Sequence, residues 1–317
     1  MNIKKFSYLV EERIRDHFPE EIRESLSISV HPVNKTNDTL RYGLMIQRKE
    51  ENMSPVLYLD DAWREYESGK PIETILTDLA AKYMEHQGNC QMELSMEFEQ
   101  VKDRVCYHVV NKAVNQNNLK GRIYTDIGQG FVKVYEIHQK LDQVGAEGSI
   151  AITHDLLKDY GYDLKEICQN AEKNTPQIYP VYFTTLSREI MGVLGDGFAN
   201  ENPIEQDFYL LTNENRYRGA GALFYPGMQE KIAEHLGENY YMLPSSIHEV
   251  LIVPENMNLT PEELEQMVRG VNKEAVSKDE FLSNKVFYYD REKEQLRIAL
   301  PDIPDIKKEN NRNEIDR

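Results

Sequence analysis

Apolar residues in this chain fall in short alternating runs that come in pairs, and stretches of helical spacing separate the pairs. Leu26, Ile28 and Val30 alternate with Ser27 and Ser29, and Leu40, Tyr42, Leu44 and Ile46 alternate with Arg41, Gly43 and Met45. The polar stretch Asn34-Lys35-Thr36-Asn37-Asp38 between them is turn-like, so the two runs predict a β-hairpin. A second hairpin is expected at 286–289 and 296–300, around a turn at 290–294. Runs at 208–211 and 220–224 read as paired strands, and further strands are expected at 55–59, 131–137, 149–152, 240–243 and 250–253. A doubly wound sheet needs strand and helix in regular alternation, which this order does not provide. The expected class is α+β, with two lobes of mixed or mainly antiparallel sheets flanked by helices.

Helices are signalled by spacing and by their ends. Phe6, Leu9, Val10 and Ile14 share one face. Pro71 opens a stripe of Ile72, Ile75, Leu76, Leu79, Ala80 and Tyr83, ended by Gly88. A helix is expected over 96–114, with Phe98, Val101, Val105 and Val109 inward. Thr153 and Asp163 stand where N-caps would. Pro226 opens a helix that Gly237 stops. Thr260-Pro261-Glu262-Glu263 carries a Thr cap, a first-position Pro and the Glu that completes a capping box. Residues 190–206, rich in Gly and Asn, read as loop.

Glycines cluster at Gly145-Ala146-Glu147-Gly148, and the charge balance changes there. The expected division is an N-terminal lobe over 1–145, an acidic C-terminal lobe over 146–300 and a disordered charged tail over 301–317. The net charge of −17 splits into −4 before this boundary and −13 after it. A field of that sign repels phosphate backbones and argues against direct nucleic-acid binding. No apolar run approaches the length of a membrane span. Glu11 and Glu12 interrupt the stretch after Lys4 and Lys5, so no signal peptide is expected. Cys90, Cys106 and Cys168 are odd in number and lack CxxC spacing, which suggests thiols in a reducing cytoplasm.

Several segments together resemble an uncharacterised, domain-of-unknown-function family abundant in anaerobic, often gut-dwelling Firmicutes. They include Val56-Leu57-Tyr58-Leu59-Asp60-Asp61, Gly148-Ser149-Ile150-Ala151-Ile152-Thr153 and Tyr209-Leu210-Leu211-Thr212-Asn213. The most specific is Leu243-Pro244-Ser245-Ser246-Ile247-His248-Glu249-Val250-Leu251-Ile252. The family often has a Pro-His pair and an Asp-Leu-Ala run before its middle strand, where this chain has Arg122-Ile123-Tyr124-Thr125-Asp126-Ile127-Gly128. The resemblance implies a bacterial origin and a shared fold, and it implies no activity.

Ser245, Ser246, His248 and Glu249 form the densest polar cluster between two apolar runs. A serine nucleophile needs a base in reach and a group that orients the base, and these residue types supply all three roles. No Gly-x-Ser-x-Gly elbow accompanies them, and the competing reading is a turn whose hydroxyls and His-Glu pair shape backbone. His248-Glu249 lacks the second His of a zinc-protease helix, so no metal is expected. Gly219-Ala220-Gly221 lacks a dinucleotide fingerprint's third glycine and reads as close backbone packing or a bulge, so no cofactor is expected either. Gly195-Asp196-Gly197 with Asn200 and Asn202 misses the calcium-loop spacing. Asn111, Asn115, Gln116, Asn117 and Asn118 read as helix-capping residues. Arg216, Arg218 and Tyr225, with Tyr217, could form a small anion-recognising patch or a cross-strand charge pair. The expected function is a non-enzymatic cytoplasmic interaction or regulatory protein whose acidic surface meets a basic protein partner. A nucleic-acid mimic acting against defence systems is one special case. The alternative is a hydrolase or transferase using Ser245, Ser246, His248 and Glu249.

Overall fold

The computed structural model describes residues 1–48, 56–86, 96–141, 146–194 and 207–300. The chain opens with helix α1 (Ile3–Arg13), capped by the Asn2 side chain, and the short α2 (Glu20–Arg23). Strands β1 (Leu26–Asn34) and β2 (Leu40–Arg48) form the expected hairpin, and β3 (Val56–Tyr58) adds to β2. Helices α3 (Asp60–Glu67) and α4 (Ile72–His86) follow. Phe6, Val10, Ile14, Leu44, Ile75 and Tyr83 belong to one core, which closes this unit upon itself. Gly88, expected to end α4, lies outside the described residues.

Next come the single turn α5 (Phe98–Val101), β4 (Val105–Asn111), β5 (Tyr124–Gly128), β6 (Phe131–Leu141) and β7 (Ala146–Ala151). They form a four-stranded sheet in which β6 is flanked by β4 on one side and by β5 and β7 on the other. The helix expected over 96–114 is corrected here. After α5 and a 3-10 turn the chain becomes strand, and residues 105–110 are all buried. A strand covered on both faces shows a continuous apolar run, and a run without alternation does not reveal its period.

Helix α6 (His154–Tyr160) is capped by Thr153 and α7 (Leu164–Ile178) by Asp163, both as expected. The buried Asn174 and Thr175 of α7 bond to the free edge of β4: Asn174 Nδ2 donates to the Val105 carbonyl, and Tyr107 N–H donates to Thr175 Oγ1. Then follow β8 (Val181–Thr185), α8 (Leu186–Leu194), β9 (Tyr209–Asn213), α9 (Met228–Leu236), β10 (Tyr240–Leu243) and β11 (Val250–Pro254). Helix α10 (Pro261–Glu274), with its capping box formed, precedes the hairpin of β12 (Phe287–Asp290) and β13 (Gln295–Ile298). These strands make a six-stranded sheet in the order β13-β12-β10-β11-β9-β8.

Every strand pairing among the described residues is antiparallel, and the class is α+β. Residues 220–224, read as a strand, lie in a 3-10 helix over Gly219–Phe224, and β9 pairs with β8 and β11 instead. Of the stretch read as loop, residues through Leu194 belong to α8, and 195–206 lie outside the described residues. The division at 145/146 falls at the start of β7, which pairs with β6. The large core draws Tyr107, Phe131 and Ile137 from before it and Ile167, Met242 and Phe287 from after it. The tail at 301–317 lies outside the described residues. No helix among those described is long and apolar enough to cross a membrane.

The first unit meets the rest through its hairpin turn. Asn37 and Asp38 both take positive φ, +60° and +51°. Asn37 N–H donates to Asn115 Oδ1 at 2.7 Å, and Asn115 Nδ2 returns a bond to Asn37 Oδ1. Asp38 accepts the N–H groups of Asn117 and Asn118, and Arg41 pairs with Asp279 at 2.6 Å. The asparagines read as helix caps therefore bind another turn of the chain. Asn115 is fully buried, so Asn115→Ala strands the Asn37 N–H. Its expected cost is about 2 kcal/mol in urea unfolding.

Candidate functional site

Along β6 the side chains of Val132, Val134, Glu136 and His138 fall on one face, because strand side chains alternate. At one end Val132 and Val134 pack with Val110 and Leu119. At the other end the same face carries charge. Glu136 is 5% exposed, and across the sheet it stands beside His108 of β4 and Ser149 of β7. The counter-charge comes from the six-stranded sheet, where Arg218 lies in the turn after β9.

Arg218 Nη1 donates to both Glu136 oxygens, at 3.2 and 3.0 Å. Ser149 Oγ donates to Oε2 at 2.9 Å, and His108 Nδ1 stands 3.3 Å from the same oxygen. Burial works against a carboxylate here, but His108, Arg218 and Ser149 outweigh it and hold Glu136 well below the usual range. Burial first, then the charge of Arg218, pushes His108 below its ordinary value, so its ring is neutral. Burial also disfavours the charge on Arg218, and Glu136 more than restores it. The centre is thus an ion pair flanked by a neutral imidazole and a hydroxyl.

The turn that delivers Arg218 is tightly held. Arg216 and Arg218 both take positive φ, +54° and +52°, a costly conformation for arginine. The buried Asn213 compensates by clamping the residue between them: its Nδ2 donates to the Tyr217 carbonyl, and Tyr217 N–H donates to its Oδ1. Gly219 follows because nothing larger fits. A Cβ there would lie 2.6 Å from Asn213 N and 2.7 Å from the His248 carbonyl oxygen, and would collide with Thr212 Oγ1. The reading of close backbone packing holds at Gly219, within a 3-10 helix and not a strand.

The segment containing Ser245, Ser246, His248 and Glu249 lies against this turn. Ser246 Oγ accepts the N–H of His248 at 3.0 Å. The ring of His248 points elsewhere: Nδ1 accepts the N–H of Arg218 at 3.1 Å, and Nε2 faces Glu280 Oε1 at 3.5 Å. Backbone bonds tie Ser245 to Leu282 and Ile247 to Glu280 and Ala220. Glu249 contributes charge beside Arg216. Among the described residues neither ring nitrogen of His248 bonds a serine hydroxyl.

Of the residues read as a small patch, Tyr217, Arg218 and Tyr225 line one pocket, and Arg216 stands apart. Arg216 forms a two-pronged pair with Glu189 and lies 4.1 Å from the Tyr182 ring centre. Arg218 belongs to the buried centre, and the Tyr225 hydroxyl donates to the Tyr179 carbonyl. Glu136, His108 and Ser149 were not singled out from sequence. Their available signal was polarity inside apolar runs, Glu136 between Val134 and Ile137 and His108 between Tyr107 and Val109, since buried charge requires a partner. Cys106 is buried beside Glu136, and burial raises its thiol well above the ordinary value. Among the described residues no three His, Cys, Asp or Glu side chains gather as a metal site.

Two spaces adjoin the ion pair. An inner pocket of about 10 Å³, room for one water, is lined by His108, Arg218, Asn213 and Tyr225 among others. An outer cleft of about 410 Å³ is lined by Glu136, Glu147, Gly148, Ser149, Tyr179, Asn215 and Tyr217. Glu136, Tyr179 and Tyr217 line both and so stand between them.

These features define an α+β protein whose two larger sheets meet across a buried charged centre beside an open cleft. The chain belongs to a family of unknown function, DUF5688, whose model matches residues 3–291. Searches of curated proteins and of solved structures each found no match.

Replacing Glu136 by Gln leaves the half-buried Arg218 without its counter-charge, with an expected loss of about 3 kcal/mol in urea unfolding. Acid acts through the same centre. His108 and Glu136 both lie below their ordinary values of 6.5 and 4.5, so each stabilises the fold above that value and loses the contribution as pH falls. Stability is expected to begin dropping below about pH 6.5 and to drop further below about pH 4.5, with the second step smaller in Glu136→Gln, where Asp126, Glu189, Glu263, Asp279 and Asp290 still contribute. His248→Ala removes the acceptor for Arg218 N–H, with an expected loss of about 1–2 kcal/mol by the same measurement.

Proposed function

We propose that the protein acts by contact and not by making or breaking bonds: a cytoplasmic bacterial interaction or regulatory protein that meets a basic protein partner. The observation that supports this most is the placement of His248, whose two ring nitrogens serve a backbone N–H and Glu280 while Ser246 serves the backbone of its own turn. The side chains best suited to nucleophilic chemistry thereby shape the chain. The −13 charge of residues 146–317 supplies a field that draws a basic partner and raises its rate of association. The cleft beside Glu136 offers such a partner a recessed contact.

The test is capture from native lysate on the immobilised full chain, at about 50 mM and about 500 mM salt. Basic proteins are expected at the lower salt and should be lost at the higher. Recovery of nothing at either salt counts against the reading. Turnover of an ester or peptide substrate by the wild type, abolished in His248→Ala, would overturn it in favour of a hydrolase or transferase using Ser245, Ser246, His248 and Glu249.

A further inference from the structure

Resting on that contact reading, we propose that the outer cleft is a binding site for an alkyl-guanidinium or alkyl-ammonium group. Its size fits, since about 410 Å³ lies within the roughly 300–1,000 Å³ usual for small-ligand pockets. Its chemistry is one-sided: among the described residues the lining carries two carboxylates, two tyrosines, a serine and an asparagine, and no basic side chain. The guanidinium bonded to Glu136, that of Arg218, lines the inner pocket. Glu136 therefore offers the cleft an acceptor oxygen with its charge already matched. The net negative charge comes from Glu147, which is exposed and accepts from Asn215 Nδ2 at 3.2 Å through one of its oxygens. Lys140 stands opposite Glu147 in the β6–β7 register but does not line the cleft.

The aromatic rings complete the case. A cation is drawn to the face of a tyrosine, most strongly where water is partly excluded. Tyr179 is anchored by its hydroxyl to His138 Nδ1 at 3.0 Å. Tyr217 is 51% exposed, its backbone is clamped by Asn213, and its ring packs on His248 at 5.6 Å between centroids, with the Arg218 guanidinium 5.1 Å over the ring, which leaves the opposite face for a ligand. A rigid aromatic at the surface loses little freedom on binding, as contact residues at interfaces do.

The experiment is isothermal titration of the full chain with two cations and one anion. The cations are agmatine and the peptide acetyl-Gly-Arg-Gly-amide, and the anion is glutarate. Saturable binding of a cation, weakened about tenfold or more in Glu147→Lys and about threefold or more in Glu147→Gln, is the expected result. Tighter binding of the peptide assigns the group to a protein's side chain, and tighter binding of agmatine assigns it to a free amine. Both Glu147 variants remove a solvent-facing group, and unchanged urea unfolding would confirm that they fold. Heat without saturation for both cations, preference for glutarate, or equal affinity in wild type and Glu147→Lys would overturn the assignment. Salt-sensitive capture of a basic protein that survives Glu147→Lys would also overturn it while leaving the contact reading intact.

Discussion

A carboxylate removed from water must find its charge again inside the protein, and Glu136 finds it on another sheet. The strand that carries it is central to the four-stranded sheet, and the arginine that answers it leaves the last strand turn of β9 in the six-stranded sheet. The two sheets are thereby held at one relative position, since an unpaired charge at that depth is far less stable than a paired one. Much else follows from that demand. Arg218 must turn inward in a conformation arginine avoids, Asn213 is buried to hold the turn, and His248 accepts the turn's N–H. Gly219 leaves room for three close neighbours. Tyr217, caught between, is left facing outward.

The parts of this arrangement that depend on neighbours in sequence were legible in it. The β1–β2 hairpin, the Thr153 and Asp163 caps and the Thr260 capping box each follow from side chains within a few residues of one another. Two elements were misread for opposite reasons. In β4 both faces are buried, so the run Val105-Cys106-Tyr107-His108-Val109-Val110 lacks the alternation that marks a strand. In residues 220–224 small apolar side chains imitate a strand, while contact with β9 and His248 compels a tight helix. The site was less legible than the fold. His108, Glu136 and Arg218 are each separated by dozens of residues; the pairing of β4 with β6 brings the first two together, and the docking of the two sheets brings Arg218 to them.

The asparagines around 115 show the same limit. Asn is common at helix ends, and nothing local distinguishes a cap from a clasp. Here the amide of Asn115 meets the amide of Asn37 across a gap of 78 residues, joining the hairpin turn of the first unit to the second. Residues 278–281 link this clasp to the site. Asn37 Nδ2 donates to the carbonyls of Lys278 and Phe281, and the Glu280 carbonyl accepts from Ile247 N–H, next to His248. One short stretch thus touches both the joint between the units and the backbone behind the cleft.

That stretch also dates the cleft in the life of the chain. Its inner wall rests on the 245–248 segment, which is itself strapped down by residues 280–283. A ribosome must therefore deliver nearly all of the described residues before the wall can exist, long after the first unit, whose core is complete by Tyr83, has been free to fold. A nascent chain thus carries a finished first unit while the wall of the cleft waits for residues 280–283 to be made.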